Sequence, residues 1–138
     1  MANTGYVWSD WGAMQKGSAD WTADALGDTL TETGDDTSLD GKGGCEVSIA
    51  LVAGAGTIDV DGVTIHVLGN IDDTNFEDTT NSGAWAFNIT PVESNTVYKR
   101  FSISPQAYGD FKLAVENQSG QSITVTVKYR TASFPVAS

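Results

Sequence analysis

The chain is short of the residues that carry most enzyme chemistry. Its 138 residues include one histidine, His66, and one cysteine, Cys45. A lone cysteine excludes an intrachain disulfide and is expected as a small buried hydrophobe. A lone histidine has no second imidazole to share a metal with, and is expected to face solvent or an interface from a strand. Seven bases stand against eighteen acids, for a net charge of −11. That balance argues against a phosphate-backbone partner, which needs a basic face, so no nucleic-acid partner is expected. No stretch reaches the roughly 18 apolar residues of a membrane span, so no membrane partner is expected either. The N-terminus has no basic region followed by an apolar run, so synthesis and folding in the cytoplasm, or earlier trimming, is expected. There is no G-x-S-x-G elbow, no P-loop and no dinucleotide fingerprint. Proline occurs three times, and no segment carries a helical stripe of useful length. The nearest candidate, "SADWTADALGD" (18–28), alternates as well as it cycles, and so fits a strand equally.

The carboxylates are many but poorly placed for catalysis. Asp35/Asp36, Asp59/Asp61 and Asp72/Asp73 lie in polar loops or on an outer strand face, with no apolar setting to raise a pKa. Clustered oxygens suit calcium, and Asp35, Asp36, Asp40, Asp72, Asp73, Asn75, Glu77 and Asp78 supply them. The EF-hand spacing is missing, however, so solvated acidic loops with no metal and no cofactor are the expectation. "NIT" (88–90) and "NQS" (117–119) match glycosylation sequons, which without a secretory signal are coincidence.

The acid excess is uneven. Residues 1–40 carry a net −7 and residues 41–80 a net −6, while residues 81–138 carry a net +2. The plain consequence is a solvated surface; the sharper one is a dipolar molecule whose ends attract neighbouring copies. The length suits one domain spanning 1–138. Within it, 1–44 reads as an N-terminal arm of short strands and acidic loops. "GDTLTETGDDTSLDGKGG" (27–44) is turns and loop with a short strand near Leu30.

From residue 45 to 132 the pattern is strand after strand. "CEVSIALV" puts Cys45, Val47, Ile49 and Leu51 on one face. "WAFNI" turns Trp85, Phe87 and Ile89 inward. "VYKRFSIS" turns Phe101 and Ile103 inward and Tyr98 and Arg100 outward. "FKLAVEN" aligns Phe111, Leu113 and Val115. "SITVTVKY" aligns Ile123, Val125, Val127 and Tyr129 in strict period two. Asp61-Gly62 predicts a two-residue hairpin that sets Val60 against Val63 and Ile58 against Ile65. Gln118-Ser119-Gly120 predicts a hairpin loop that sets Val115 against Ile123, with Gly120 left-handed. Short strands with Gly-rich turns predict an all-β fold, a single antiparallel β-sandwich of jelly-roll-like order with an extended aromatic N-terminal segment.

The aromatic N-terminus carries the functional expectation. Tyr6, Trp8, Trp11 and Trp21 cluster in "YVWSDWGAMQKGSADW", ahead of a set of inward residues that looks self-sufficient. Alternation puts Tyr6 and Trp8 on one face and Trp11 on the other. Exposed aromatics on a β-sandwich serve a protein interface, where Trp and Tyr supply contact area at low entropy cost, or a platform for stacking sugars. Tyr6, Trp8 and Trp11 with Trp85 are the stacking candidates for the second use.

The C-terminal layout "YKRFSISPQAYGDFKLAVENQSGQSITVTVKYRTA" (98–132) is a strand, a short Pro/Tyr turn, a hairpin ending in alternating Thr/Val, then a Tyr-Arg-Thr tail. It resembles small structural proteins of tailed bacteriophage virions, in particular the β-sandwich decoration, or cement, proteins of phage heads. The resemblance implies a non-enzymatic protein of the capsid surface, a homotrimer bound to the major capsid protein. It also implies that the N-terminal segment, residues 6–21, makes that contact. The alternative is a carbohydrate-binding or receptor-binding β-sandwich module of a phage fibre or secreted protein.

Overall fold

The computed structural model describes residues 6–72, 74–80 and 85–134, which form thirteen strands and no helix. Seven short strands come first. They are β1 (Val7–Trp8), β2 (Gly12–Ala13), β3 (Gln15–Lys16), β4 (Ala19–Asp20), β5 (Asp24–Leu26), β6 (Thr31–Thr33) and β7 (Thr37–Ser38). Six longer ones follow: β8 (Lys42–Ala53), β9 (Val63–Gly69), β10 (Trp85–Ile89), β11 (Thr96–Ile103), β12 (Asp110–Asn117) and β13 (Ile123–Ser133). All pairings are antiparallel. One sheet runs β13-β8-β11, with β1, β2 and β5 end to end along the outer edge of β13; the other runs β10-β9-β12, with β6 and β7 on the far edge of β12.

The period-two runs do what their spacing requires. Cys45, Val47, Ile49 and Leu51 from β8 share one hydrophobic core with Ile123, Val125 and Val127 from β13 and Phe111, Leu113 and Val115 from β12. Residues from both sheets meet in that cluster, so the arrangement is sandwich-like. Among the long strands, only β9 and β10 are neighbours both in sequence and in a sheet; the other successive connections pass from one sheet to the other. This order does not establish jelly-roll connectivity.

Two predicted hairpins are not formed, for a common reason. Residues 54–62 carry the chain from β8 in one sheet to β9 in the other, and residues 118–122 carry it from β12 back to β13. The two crossings run beside each other and bond together: Asp59 N donates to Ser119 O at 2.6 Å and Gln118 N to Gly62 O at 2.9 Å. Asp61-Gly62 is a turn, closed by Gly62 N on Asp59 O, but it tips an inter-sheet connection and leaves Val60 88% exposed. Val115 and Ile123 are not strand partners; they face the core from different sheets. Gly120 does take the left-handed region, with φ of +89°. Asn117 fastens the crossing. Its amide nitrogen donates to Leu26 O and Gln121 O, and its Oδ1 accepts from the N and Oγ of Ser119. Wholly buried, it is a structural residue, as the coincidental reading of "NQS" implies.

The N-terminal arm is more central to the fold than its composition suggests. Residues 7–26 run antiparallel along the outer edge of β13, from Trp8 against Ala132 to Leu26 against Ile123. Midway the chain loops out as the β3-β4 hairpin. Met14 N donates to Val127 O, Val127 N to Trp21 O, and Trp21 N to Met14 O, closing the base of the loop. Met14 and Trp21 therefore both enter the core, and Trp21 is fully buried. This corrects two expectations. The core from residue 45 onward is not self-sufficient, and Trp21, grouped with the interface candidates, has no surface to offer.

The looped-out hairpin also closes one side of the sandwich. Asp24, opposite Val125, and Glu32, opposite Val115, lie on the core-facing sides of their strands at the edges of the two sheets. Lys16 Nζ bridges them, 2.9 Å from Asp24 Oδ2 and 2.7 Å from Glu32 Oε2. Bonding to Glu32 and to Lys16 holds the Asp24 carboxyl below its usual range, while burial and the Asp24 contact push Glu32 up. Bonding to Glu32 and Asp24 raises Lys16.

Two outcomes follow from this packing. Trp21→Ala should cost about 3–5 kcal/mol in denaturant unfolding. Lys16→Met should cost about 1 kcal/mol. The raised Lys16 contributes stability below its unfolded value of 10.5, and the lowered Asp24 contributes it above 3.8. The loss should therefore hold between those limits, shrinking as pH falls through the depressed Asp24 value and as it rises through the elevated Lys16 value.

Candidate interaction surface

At the end of the sheet where β1 lies, the outward face of β8 and β13 carries small residues, Gly44 opposite Ala132. That end accepts large rings from the N-terminal arm. A Cβ added to Gly43 would run into the Tyr6 ring, and one on Gly44 would come within 3.2 Å of Trp8 Cη2. The pair Gly43-Gly44 thus reads as a landing site for Tyr6 and Trp8, a signal that lay in the sequence as an apparent loop. Tyr6 also packs edge-on against Phe134, with centroids 5.8 Å apart.

Arg130 occupies the centre of this surface. Its guanidinium carbon lies 4.8 Å from the Trp8 ring centroid and 4.8 Å from that of Trp11. The two indoles flank the planar cation, a geometry Arg favours and Lys cannot reproduce. Arg130 Nε and Nη2 donate to Glu46 Oε1 at 3.0 and 2.6 Å, and Glu46 Oε2 lies 3.4 Å from Arg100 Nε. Ring, cation, carboxylate and second cation therefore form one row across β13, β8 and β11.

Trp8 and Trp11 share Arg130, so they do not face opposite ways as alternation predicted. Period two fails because the strand breaks between them: β1 ends at Trp8 and β2 begins at Gly12. Ser9 keeps the pairing through the break, its N donating to Thr131 O and its Oγ accepting from Thr131 N. The chain is then free to swing Trp11 onto the same side as Trp8. Tyr6, Trp8 and Trp11 remain 52%, 40% and 37% exposed. The fold thus brings three of the four expected interface aromatics to one patch, with an arginine that strand patterning had not singled out.

Elsewhere the reactive groups are occupied. His66 points away from the core side of β9 as its alternation predicted, yet it is buried rather than solvent-facing, with Nε2 3.0 Å from Glu116 Oε1. Burial, helped by the Glu46 charge, pushes the Cys45 thiol up to about 12. Asp35 accepts from Gly17 N, Asp59 from Asp61 N and Glu77 from Gly69 N, so these acids shape loops. Asp72 accepts from Thr74 N, Asn75 N and Asn75 Nδ2, and these bonds, the Asn75 side chain first, hold its carboxyl low. Burial and the Asp110 charge push Asp36 up. Asp73, one of the acids considered for calcium, lies outside the described residues. Among the described residues, no three His, Cys, Asp or Glu side chains gather as metal ligands.

Arg130→Ala strips both indoles and the Glu46 carboxylate of their common partner and should cost about 1–3 kcal/mol by denaturant unfolding. Trp11→Ala removes one half-exposed ring and should cost about 1 kcal/mol or less, with the fold intact. Cys45 should stay inert to a thiol-specific reagent at pH 8 in the folded protein and react fully once unfolded.

Compared with known proteins, the chain matches no family model, no curated sequence and no solved structure, so the functional reading rests on the chemistry of this surface.

Proposed function

We propose that the protein is a non-enzymatic structural component of a phage virion, a decoration protein on the capsid surface that self-associates, as a trimer, and binds the major capsid protein. The observation that carries the reading is the patch of Tyr6, Trp8 and Trp11 around Arg130. Tyr, Trp and Arg are the residues in which interface binding energy concentrates. Here the arginine is held in one orientation by two rings and a carboxylate, so little side-chain entropy is left to lose on association. The rings themselves are only partly covered by their own chain.

The resemblance of about residues 96–132 to head decoration proteins supplies the class of partner. The patch lies on the N-terminal segment and the strand that carries it, where that resemblance implies contact. A closed, symmetric oligomer would use such a patch repeatedly, and the capsid lattice presents the same epitope many times.

Size-exclusion chromatography with light scattering, followed by electron microscopy of purified heads incubated with the protein, tests the reading. A trimer and regular density on the heads are expected. Trp8→Ala and Trp11→Ala should each weaken head binding at least tenfold while the monomer stays folded. A strict monomer that ignores purified heads overturns the proposal.

A further inference from the structure

The two lateral sides of the sandwich are closed in different ways. On one, Trp21 is buried and Lys16 bridges the sheet edges. On the other, β10 and β11 are the terminal strands of their sheets, and each is paired on one side only. Three rings fill the gap between them. Phe87 and Phe101 stand 4.9 Å apart, Trp85 and Phe87 5.3 Å, and Trp85 and Phe101 5.8 Å. Sequence alternation turned Trp85 fully inward, but it is 46% exposed, and Phe87 and Phe101 are half-buried. With Asn88, Lys99 and Arg100 these rings line a cleft of about 360 Å³, within the range of small-ligand sites.

The charges at this cleft are unusual for the molecule. The chain has a net charge of −11, yet the charged residues lining the cleft are both cations. Lys99, opposite Ile49, shares the core-facing side of β11 with Phe101 and makes no ion pair among the described residues, whereas Arg100, opposite Ser48, turns to the outer face, where Glu46 lies 3.4 Å away. Both strands also present outward main-chain N–H and C=O groups without strand partners among the described residues.

We propose that this cleft binds an acidic saccharide. The C–H face of one sugar ring lies against Trp85, its carboxylate meets Lys99, and its hydroxyls bond the unpaired main-chain groups of the two strand edges. A neutral sugar leaves Lys99 unanswered, and an aromatic acid leaves the strand edges unpaired. An added peptide strand is disfavoured because charged side chains on an edge strand, here Lys99 and Arg100, oppose edge-to-edge pairing.

The intact protein is titrated with oligomers of glucuronic acid and of N-acetylneuraminic acid, with glucose oligomers as the neutral control. Tryptophan fluorescence and calorimetry report binding. The acidic oligomers should bind at least tenfold more tightly than the neutral one. Trp85→Ala should weaken binding at least tenfold, Lys99→Glu should abolish the preference for acid, and Val60→Ala, on the exposed inter-sheet turn, should change nothing. Lys99 is exposed, so Lys99→Glu remains decisive if Trp85→Ala does not fold. Absence of binding to both acidic oligomers up to millimolar concentration overturns the proposal. So does equal binding of the neutral control, unaltered acid preference in Lys99→Glu, or capture of an acidic peptide in their place.

Discussion

The outer edge of β13 is the constraint on which the rest of the structure depends. β13 spans eleven residues and is paired along its length on one side by β8. Its other side presents a second row of main-chain donors and acceptors, and an unpaired row of that length is a template for unwanted pairing. The N-terminal arm satisfies it in three pieces, β1, β2 and β5. Each piece then places something. β1 sets Trp8 over Gly44, the break after it lets Trp11 reach Arg130, and the looped-out hairpin delivers Met14 and Trp21 to the core and Lys16 to the sheet edges.

Lys16, Arg100, Lys112 and Arg130 are spent on aromatic rings and carboxylates. Arg130 lies 4.8 Å from each of two indole centroids and Lys112 4.5 Å from the Phe76 ring centroid. A cation–π contact contributes about 0.5–1 kcal/mol at an exposed site, so these contacts matter less for stability than for orientation. They hold charge in fixed places on an otherwise acidic surface. The proposed interface centres on one such place, and the Arg130-Glu46-Arg100 row runs from it toward the Trp85 cleft.

Where alternation was strict, the sequence was readable. Val47, Ile49 and Leu51, the run from Ile123 to Val127, and Phe111, Leu113 and Val115 all face the core, because a one-residue slip would turn every one of them to water. It was less readable where pairing was at stake. Asp61-Gly62 makes a turn in either a hairpin or a crossing, and only the bonds to Gln118 and Ser119 separate the two. Density in the arm pointed equally to Tyr6, Trp8 and Trp11, which are exposed, and to Trp21, which is buried. The landing glycines, Gly43 and Gly44, gave a signal only once Tyr6 and Trp8 were seen above them.

The sequence by itself determined the all-β class, the inward face of the long strands and the absence of a disulfide, because these follow from local periodicity and composition. The tertiary structure decided which strands pair, that Trp21 belongs to the core, and that Trp8 and Trp11 close on Arg130. Those outcomes depend on residues more than a hundred positions apart meeting across β13, through hydrogen bonds between main-chain groups that every residue carries alike. The pattern of side chains therefore holds little record of them.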